Sequence, residues 1–382
     1  MSRRSGAWTA VALAGALACA GHRPPPLVPV PALPPEDIAV SLYLIGDAGK
    51  PDSAGEPVLM ALRHDLASRR SQRVVVFLGD NAYPGGLPAL GQPGRREAER
   101  YLVAQVEAIT SSGASGYLVP GNHDWAKYGP DGWNAIRRQE AFVDSVGAGK
   151  VTLQPGGGCP GPKVVDIGSR LRLVLLDTQW WLHPGPKPKD PDSDCAADAE
   201  SEVVDSLRTA LTGASGRMVV LAEHHPLRSG GAHGGHFDWK DHIFPLRAIK
   251  PWLWIPLPWI GSLYPAARRQ GISSQDIPSR AYQRLIAAFR RALAAAPPAL
   301  YAAGHEHNLQ VLSGGPARLE LVSGTGYYGH TSEAISIRGT LFARRASGFA
   351  RLDIPRAGRP RLAIVEVDAK GGSREVFSTE VE

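Results

Sequence analysis

The sequence predicts an α/β fold in which two mixed β-sheets pack as a sandwich with helices on the outer faces. Three observations point there. As far as His307, apolar runs of strand length alternate with helical patterns. After His307, strand patterns follow one another without intervening helices. Short stretches bearing Gly, Asp, Asn and His stand at the ends of the apolar runs, where open α/β sheets bind ligands.

The elements follow in order. Residues 38–45 read as a strand and 58–68 as a helix. Val74-Val75-Val76-Phe77-Leu78 is an unbroken apolar run, the mark of a strand buried on both faces. Residues 95–110 are helical by pattern, 117–119 form a short strand, and 133–146 are helical again. A strand at 171–176, a helix at 202–211 and a strand at 218–221 come next. An amphipathic helix at 279–295 leads into a strand at 299–302. The last strands are 318–323, 340–343, 349–354 and 362–367, and no internal repeat is visible.

The chain has 382 residues, enough for one large domain or two small ones. One is favoured, spanning 37–382, because the polar stretches run from near its start to beyond residue 300. Arg3 and Arg4 precede an apolar stretch at 7–18 that is too short for a dedicated transmembrane span, so 1–18 reads as a signal peptide. Cys19 follows Ala16-Leu17-Ala18, which resembles a bacterial lipoprotein box. Lipidation of Cys19 after cleavage and ordinary signal cleavage are the two readings. Residues 19–36 are Pro-rich and suit a semi-rigid spacer. The expected location is outside the cytoplasm, in a bacterial periplasm or on an outer membrane. In that oxidising setting Cys159 and Cys195, both in Gly/Pro/Asp-rich loops, read as a structural disulfide in preference to free thiols.

The net charge of +6 and pI near 9.3 are a mild basic excess. They suit anionic substrates or an anionic membrane surface. No dense Lys/Arg run specifically indicates nucleic acid. At about 236–278 an insertion carries Trp252, Trp254 and Trp259 among prolines. Three readings stand for it: a lid, a segment that dips into a membrane interface, or an insertion packed on the core.

Five motifs carry the chemistry: Gly46-Asp47-Ala48-Gly49, Gly79-Asp80-Asn81-Ala82-Tyr83, Gly121-Asn122-His123-Asp124, Glu223-His224-His225-Pro226 and Gly304-His305-Glu306-His307. Their oxygen and nitrogen donors suit hard or borderline metals. A carboxylate such as Asp80 can bridge two cations, and His305 and His307, two apart, share one face of an extended segment. Order and content resemble the calcineurin-like metallophosphoesterases, and most closely the purple acid phosphatases of the tartrate-resistant type. Tyr83, three residues after Asp80, is the discriminating mark.

The resemblance implies the αββα metallophosphoesterase sandwich and two metal ions. It implies Asp47, Tyr83 and His307 on the first ion, Asn122, His224 and His305 on the second, and Asp80 on both. A phenolate ligand calls for a strong Lewis acid, so iron is expected beside Tyr83, with iron, zinc or manganese as the second ion. The expected reaction is hydrolysis of phosphate monoesters by a metal-bound hydroxide. His123 would be the general acid, oriented or tuned by Asp124. His233, in the loop after His224, would bind phosphate or transfer a proton. Relatives commonly have Gly and Tyr where this chain has Glu223 and His225; Glu223 would tune His224, and His225 is a ligand or a packed neighbour. The alternatives are a phosphodiesterase or nucleotide hydrolase on the same site, and a surface lipoprotein that binds without catalysis.

Overall fold

The computed structural model describes residues 29–189, 191–248 and 252–382. The stretch read as a signal peptide, Cys19 and the first part of the Pro-rich stretch lie outside them.

The chain runs β1 (Ile38–Ile45), α1 (Pro57–Ser68), β2 (Gln72–Leu78), α2 (Arg95–Thr110), β3 (Ser115–Val119), α3 (Gly132–Gly147), β4 (Val151–Leu153), β5 (Lys163–Ile167) and β6 (Leu171–Leu175). It continues α4 (Gln179–Leu182), α5 (Glu200–Thr212), β7 (Met218–Ala222), α6 (Trp239–Ile243), α7 (Leu263–Arg269), α8 (Arg280–Leu293) and β8 (Leu300–Ala303). It ends β9 (Leu309–Ser313), β10 (Leu319–Ser323), β11 (Thr340–Arg344), β12 (Gly348–Pro355), β13 (Arg361–Val367) and β14 (Ser373–Glu380). One sheet has the order β14-β13-β12-β1-β2-β3-β4 and the other β11-β9-β10-β8-β7-β6-β5. In each, parallel strands joined by helical crossovers sit beside antiparallel strands, so both sheets are mixed.

Alternation along the strands builds the layers. Leu42 and Leu44 of β1 with Val74, Val76 and Leu78 of β2 meet Leu173, Leu175, Val220 and Leu321 between the sheets. The intervening Tyr43, Ile45, Val75 and Phe77 face outward into a second apolar layer with Leu62 of α1 and Leu102 of α2. Each such side chain, fully buried, contributes roughly 1.5–3 kcal/mol. Helix α8 shows why these segments are helical. Tyr282, Leu285, Ile286, Phe289 and Leu293 are buried at spacings of three and four, and Ser279 caps the start by accepting from Tyr282 N at 3.2 Å.

Cys159 and Cys195 are joined in a disulfide that ties the loop before β5 to the loop before α5. The insertion between β7 and α8 contains α6 and α7. Trp254 lies under the Arg247 guanidinium, 4.2 Å from its ring centre, and beside Phe244. Trp259 is 91% exposed, and Trp252, Ile260 and Leu263 are exposed with it. The Trp-bearing stretch is therefore not buried on the core, whereas Gln275, Asp276 and Ile277 at the end of the insertion are packed against the domain.

Candidate metal centre

Five strand ends converge. β1 runs out into Asp47, β2 into Asp80, β3 into Asn122, β7 into His224 and β8 into His305. The first three strands belong to one sheet and the last two to the other. Backbone bonds stitch the loops together: Asp47 N donates to Gly79 O at 2.9 Å, and Gly304 N to His224 O at 3.0 Å. The loops turn sharply. Asp47, Asp80 and His305 have φ of 56°, 54° and 68°, in the left-handed region that Asp and His tolerate better than most residues. Gly79 is needed for a further reason, since a Cβ there would strike the His224 ring.

Proton accounting identifies what the centre is built to hold. His224 Nδ1 lies 2.8 Å from Leu78 O and donates to it, which leaves Nε2 bare. His305 Nε2 donates to Gln275 O at 2.9 Å, which leaves Nδ1 bare. These bare nitrogens stand 3.2 Å apart, and both lie 3.0–3.1 Å from Asn122 Oδ1. With neutral imidazoles, three lone-pair atoms face one another with no proton among them. That repulsive arrangement fits a cation, and fixed outer hydrogen bonds are how proteins aim ligating histidines. Asp80 Oδ1 lies 3.5 Å from His224 Nε2.

A second group adjoins the first. Tyr83 Oη donates to Asp47 Oδ1 at 3.0 Å and lies 3.4 Å from His307 Nε2, which is 3.3 Å from the same carboxylate oxygen. The donor atoms of Asp47, Asp80 and His224 all lie within 4.8 Å of one another, so the two groups share one buried space. Burial pushes the Asp47 carboxyl up to about 8, and the Asp80 charge beside it adds to the rise. Burial also pushes His307 down to about 4, which keeps it neutral. The donor atoms of Asn122, His224 and His305 on one side, those of Asp47, Tyr83 and His307 on the other, and Asp80 beside His224 are the residues that could hold metal ions here.

His123 N donates to Asp80 Oδ1 at 2.8 Å. Its Nδ1 lies 2.6 Å from Pro84 O, and its Nε2 lies 3.8 Å from Asp80 Oδ2 at the open side of the centre. His233 packs against His305, with ring centres 4.0 Å apart and planes tilted by 38°. Asp276 holds His233 Nδ1 at 2.9 Å and pairs with Arg268. A cleft of about 410 Å³ opens from the centre, lined by His233, Tyr264, Arg268, His307, His330 and Arg345 among others.

Two expected tuning roles are corrected. Asp124 is fully buried and accepts from Asn81 N, Ala82 N, Gly121 N and Gln139 Nε2, at 2.8–3.1 Å. It ties the second and third motif loops together, while His123 is oriented by Pro84. Glu223 accepts from His225 N at 2.6 Å and lies 2.5 Å from Thr178 Oγ1, so it faces His225 and not His224. His225 has both ring nitrogens engaged, by Thr178 and by Gln275 Oε1 at 2.8 Å each, and is a packed neighbour of His224. Sequence reasoning missed Gln275, Asp276 and His330. Only His330 had a signal, the glycine- and tyrosine-rich run Gly324-Thr325-Gly326-Tyr327-Tyr328-Gly329 just before it.

No protein-family model matches the sequence, and no curated protein matches it. Solved structures do. GAP50, the anchor in the inner membrane complex of Plasmodium, is 15% identical with a TM-score of 0.54, over 90% of this chain and 89% of that one. PhoD is 12% identical with a TM-score of 0.50, over 93% and 71%. Purple acid phosphatase PPD1 from yellow lupin seeds is 13% identical with a TM-score of 0.49, and the match spans 91% of this chain but only 55% of that one. With two mixed seven-stranded sheets and flanking helices, the chain has the sandwich fold of the calcineurin-like metallophosphoesterases.

Proposed function

We propose that this protein is a dinuclear-metal hydrolase of phosphate monoesters, with iron beside Tyr83 and iron, zinc or manganese as the second ion. The observation that carries the proposal is the pair of bare histidine nitrogens facing Asn122 Oδ1, their protons spent on Leu78 O and Gln275 O. When bound, the ions supply Lewis acidity to the phosphate oxygens and lower the pKa of water.

The chain's own residues do the rest. His123 has one nitrogen fixed by Pro84 O and the other at the open side of Asp80, suited to giving a proton to the leaving oxygen. His233, braced by Asp276, faces the cleft and suits a phosphate oxygen or a proton transfer. Burial of Asp47, Asp80, His224 and His305 excludes bulk water from the donors. The reading includes export and a lipidated Cys19.

Purified, metal-analysed protein assayed on p-nitrophenyl phosphate and bis(p-nitrophenyl) phosphate tests the proposal. Two ions per chain and a kcat/KM at least about tenfold higher for the monoester are expected. Preference for the diester would replace the monoester assignment. Protein that binds no metal and hydrolyses neither would overturn the enzyme reading.

A second reading, contact with a membrane surface, is favoured by the exposed Trp252, Trp259, Ile260 and Leu263 of the insertion. It is compatible with catalysis.

A further inference from the structure

We propose that His330 is a fifth protein ligand of the ion on the Tyr83 side, one that none of the five sequence motifs contains. The inference rests on the two-ion reading above.

His330 comes from the loop between β10 and β11, outside every motif. Its Nε2 stands 3.2 Å from His307 Nε2. His307 Nε2 in turn lies 3.3 Å from Asp47 Oδ1 and 3.4 Å from Tyr83 Oη, and those two oxygens are 3.0 Å apart. Donors about 2.1 Å from one ion sit roughly 3.0–3.4 Å from one another, depending on whether the geometry is octahedral or tetrahedral. The His330 spacing belongs to that series. The two rings also pack on each other, with centres 3.8 Å apart and planes 42° apart, and their closest polar approach is nitrogen to nitrogen.

The ring is also aimed. Tyr327 stacks on it, with centres 4.5 Å apart and planes 11° apart, and Tyr83 meets it edge-on at 5.7 Å. A histidine held between two tyrosines loses little further rotamer freedom on binding an ion. One competing arrangement exists, in which one imidazole donates a single N–H to the other and His330 has only a packing role. The two arrangements differ in what they predict for a ring without nitrogens.

With Asp47, Asp80, Tyr83 and His307, a fifth protein donor would leave an octahedral ion one open position. The substrate's phosphate would then reach that ion at a single point, and most of its binding would fall to the Asn122 side.

The test is metal affinity, read by competition with a graded series of chelators and by elemental analysis, in the full chain carrying His330→Ala, His330→Phe or His307→Ala. His330→Phe preserves the stacking against Tyr327 and removes only the nitrogens, so it guards against an unfolded alanine variant. Both His330 variants are expected to weaken one ion by about tenfold or more while the other stays bound. Free imidazole should restore that ion in His330→Ala. Where the bound ion is iron, its visible band should shift. If His307→Ala loses an ion but both His330 variants keep two with unchanged affinity and spectrum, the His330 proposal fails alone. If His307→Ala also keeps two ions, the site reading fails and takes the proposal with it.

Discussion

His123 separates chemistry from metal binding at the residue scale. Its backbone N–H serves Asp80, but its side chain is turned by Pro84 O and makes no contact short enough for a shared ion. His123→Ala should therefore lower kcat by about 10²-fold, the scale of a positioned acid, while metal content stays near normal. The loss should be smallest on substrates whose leaving group needs no proton. Loss of metal would assign His123 to the ligands instead, and full activity on poor leaving groups would end its role as acid. Residues at this scale are legible when they sit in a motif after an apolar run, as Asp47, Asp80, Asn122, His224 and His305 do. Gln275, Asp276 and His330 are not. Each enters the site by the path of a loop, and neither periodicity nor spacing encodes where a loop returns. Asp124 departs from expectation for a related reason: adjacency to His123 suggests contact, but the turn sends consecutive side chains in different directions.

The working unit at the element scale is a parallel strand that ends in a tight turn. Three of the converging residues carry left-handed backbone, a cost of order 1–3 kcal/mol each that the buried strands behind them must offset. The strands themselves are legible, because a short continuous Val/Leu/Phe run bounded by turn residues suits a strand buried on both faces. Strands β5 and β9 carry apolar residues and are still not expected, whereas three other missed elements lack that signal. Four-residue α4 and three-residue β4 are shorter than any periodicity test can read. Edge strand β14, Ser-Arg-Glu-Val-Phe-Ser-Thr-Glu, is mostly polar because it pairs on one side only. The Trp-rich insertion makes a prediction at this scale. Replacing Trp252, Trp254 and Trp259 by Ser in the full chain should weaken binding to vesicles containing anionic lipid, since interfacial Trp and nearby cations such as Lys240 and Arg247 favour such surfaces. Hydrolysis of small esters should be unchanged. A raised KM for bulky esters with unaltered vesicle binding would make the segment a lid instead. Loss of thermal stability alone would contradict its exposure.

The question for the whole molecule is what couples the two sheets besides the apolar layer between them. Asp177 is one such link. It follows β6 of one sheet, is fully buried, and accepts from the indole N–H of Trp125 at 2.7 Å, in the loop that follows β3 of the other. It also accepts from Trp180 N at 3.0 Å. Burial pushes its carboxyl up to about 8, against an unfolded value near 3.9. The sign follows from linkage. Below about pH 4 both states hold the proton and the group contributes no penalty. Between about pH 4 and 8 the unfolded chain releases the proton while the folded chain keeps it, so stability falls as pH rises through that window. Asparagine cannot titrate, and its carbonyl oxygen can still accept from Trp125. Asp177→Asn should therefore raise Tm relative to the parent protein near pH 7.5 by a few degrees, at roughly 1–2 °C per kcal/mol for a chain of this size. The difference should shrink towards zero near pH 4.5. Thermal melts at the two pH values, with metal content matched, decide it. A difference that is the same at both would mean that Asp177 does not titrate in this window, and that its link to Trp125 is an ordinary hydrogen bond with no bearing on the pH range the fold tolerates.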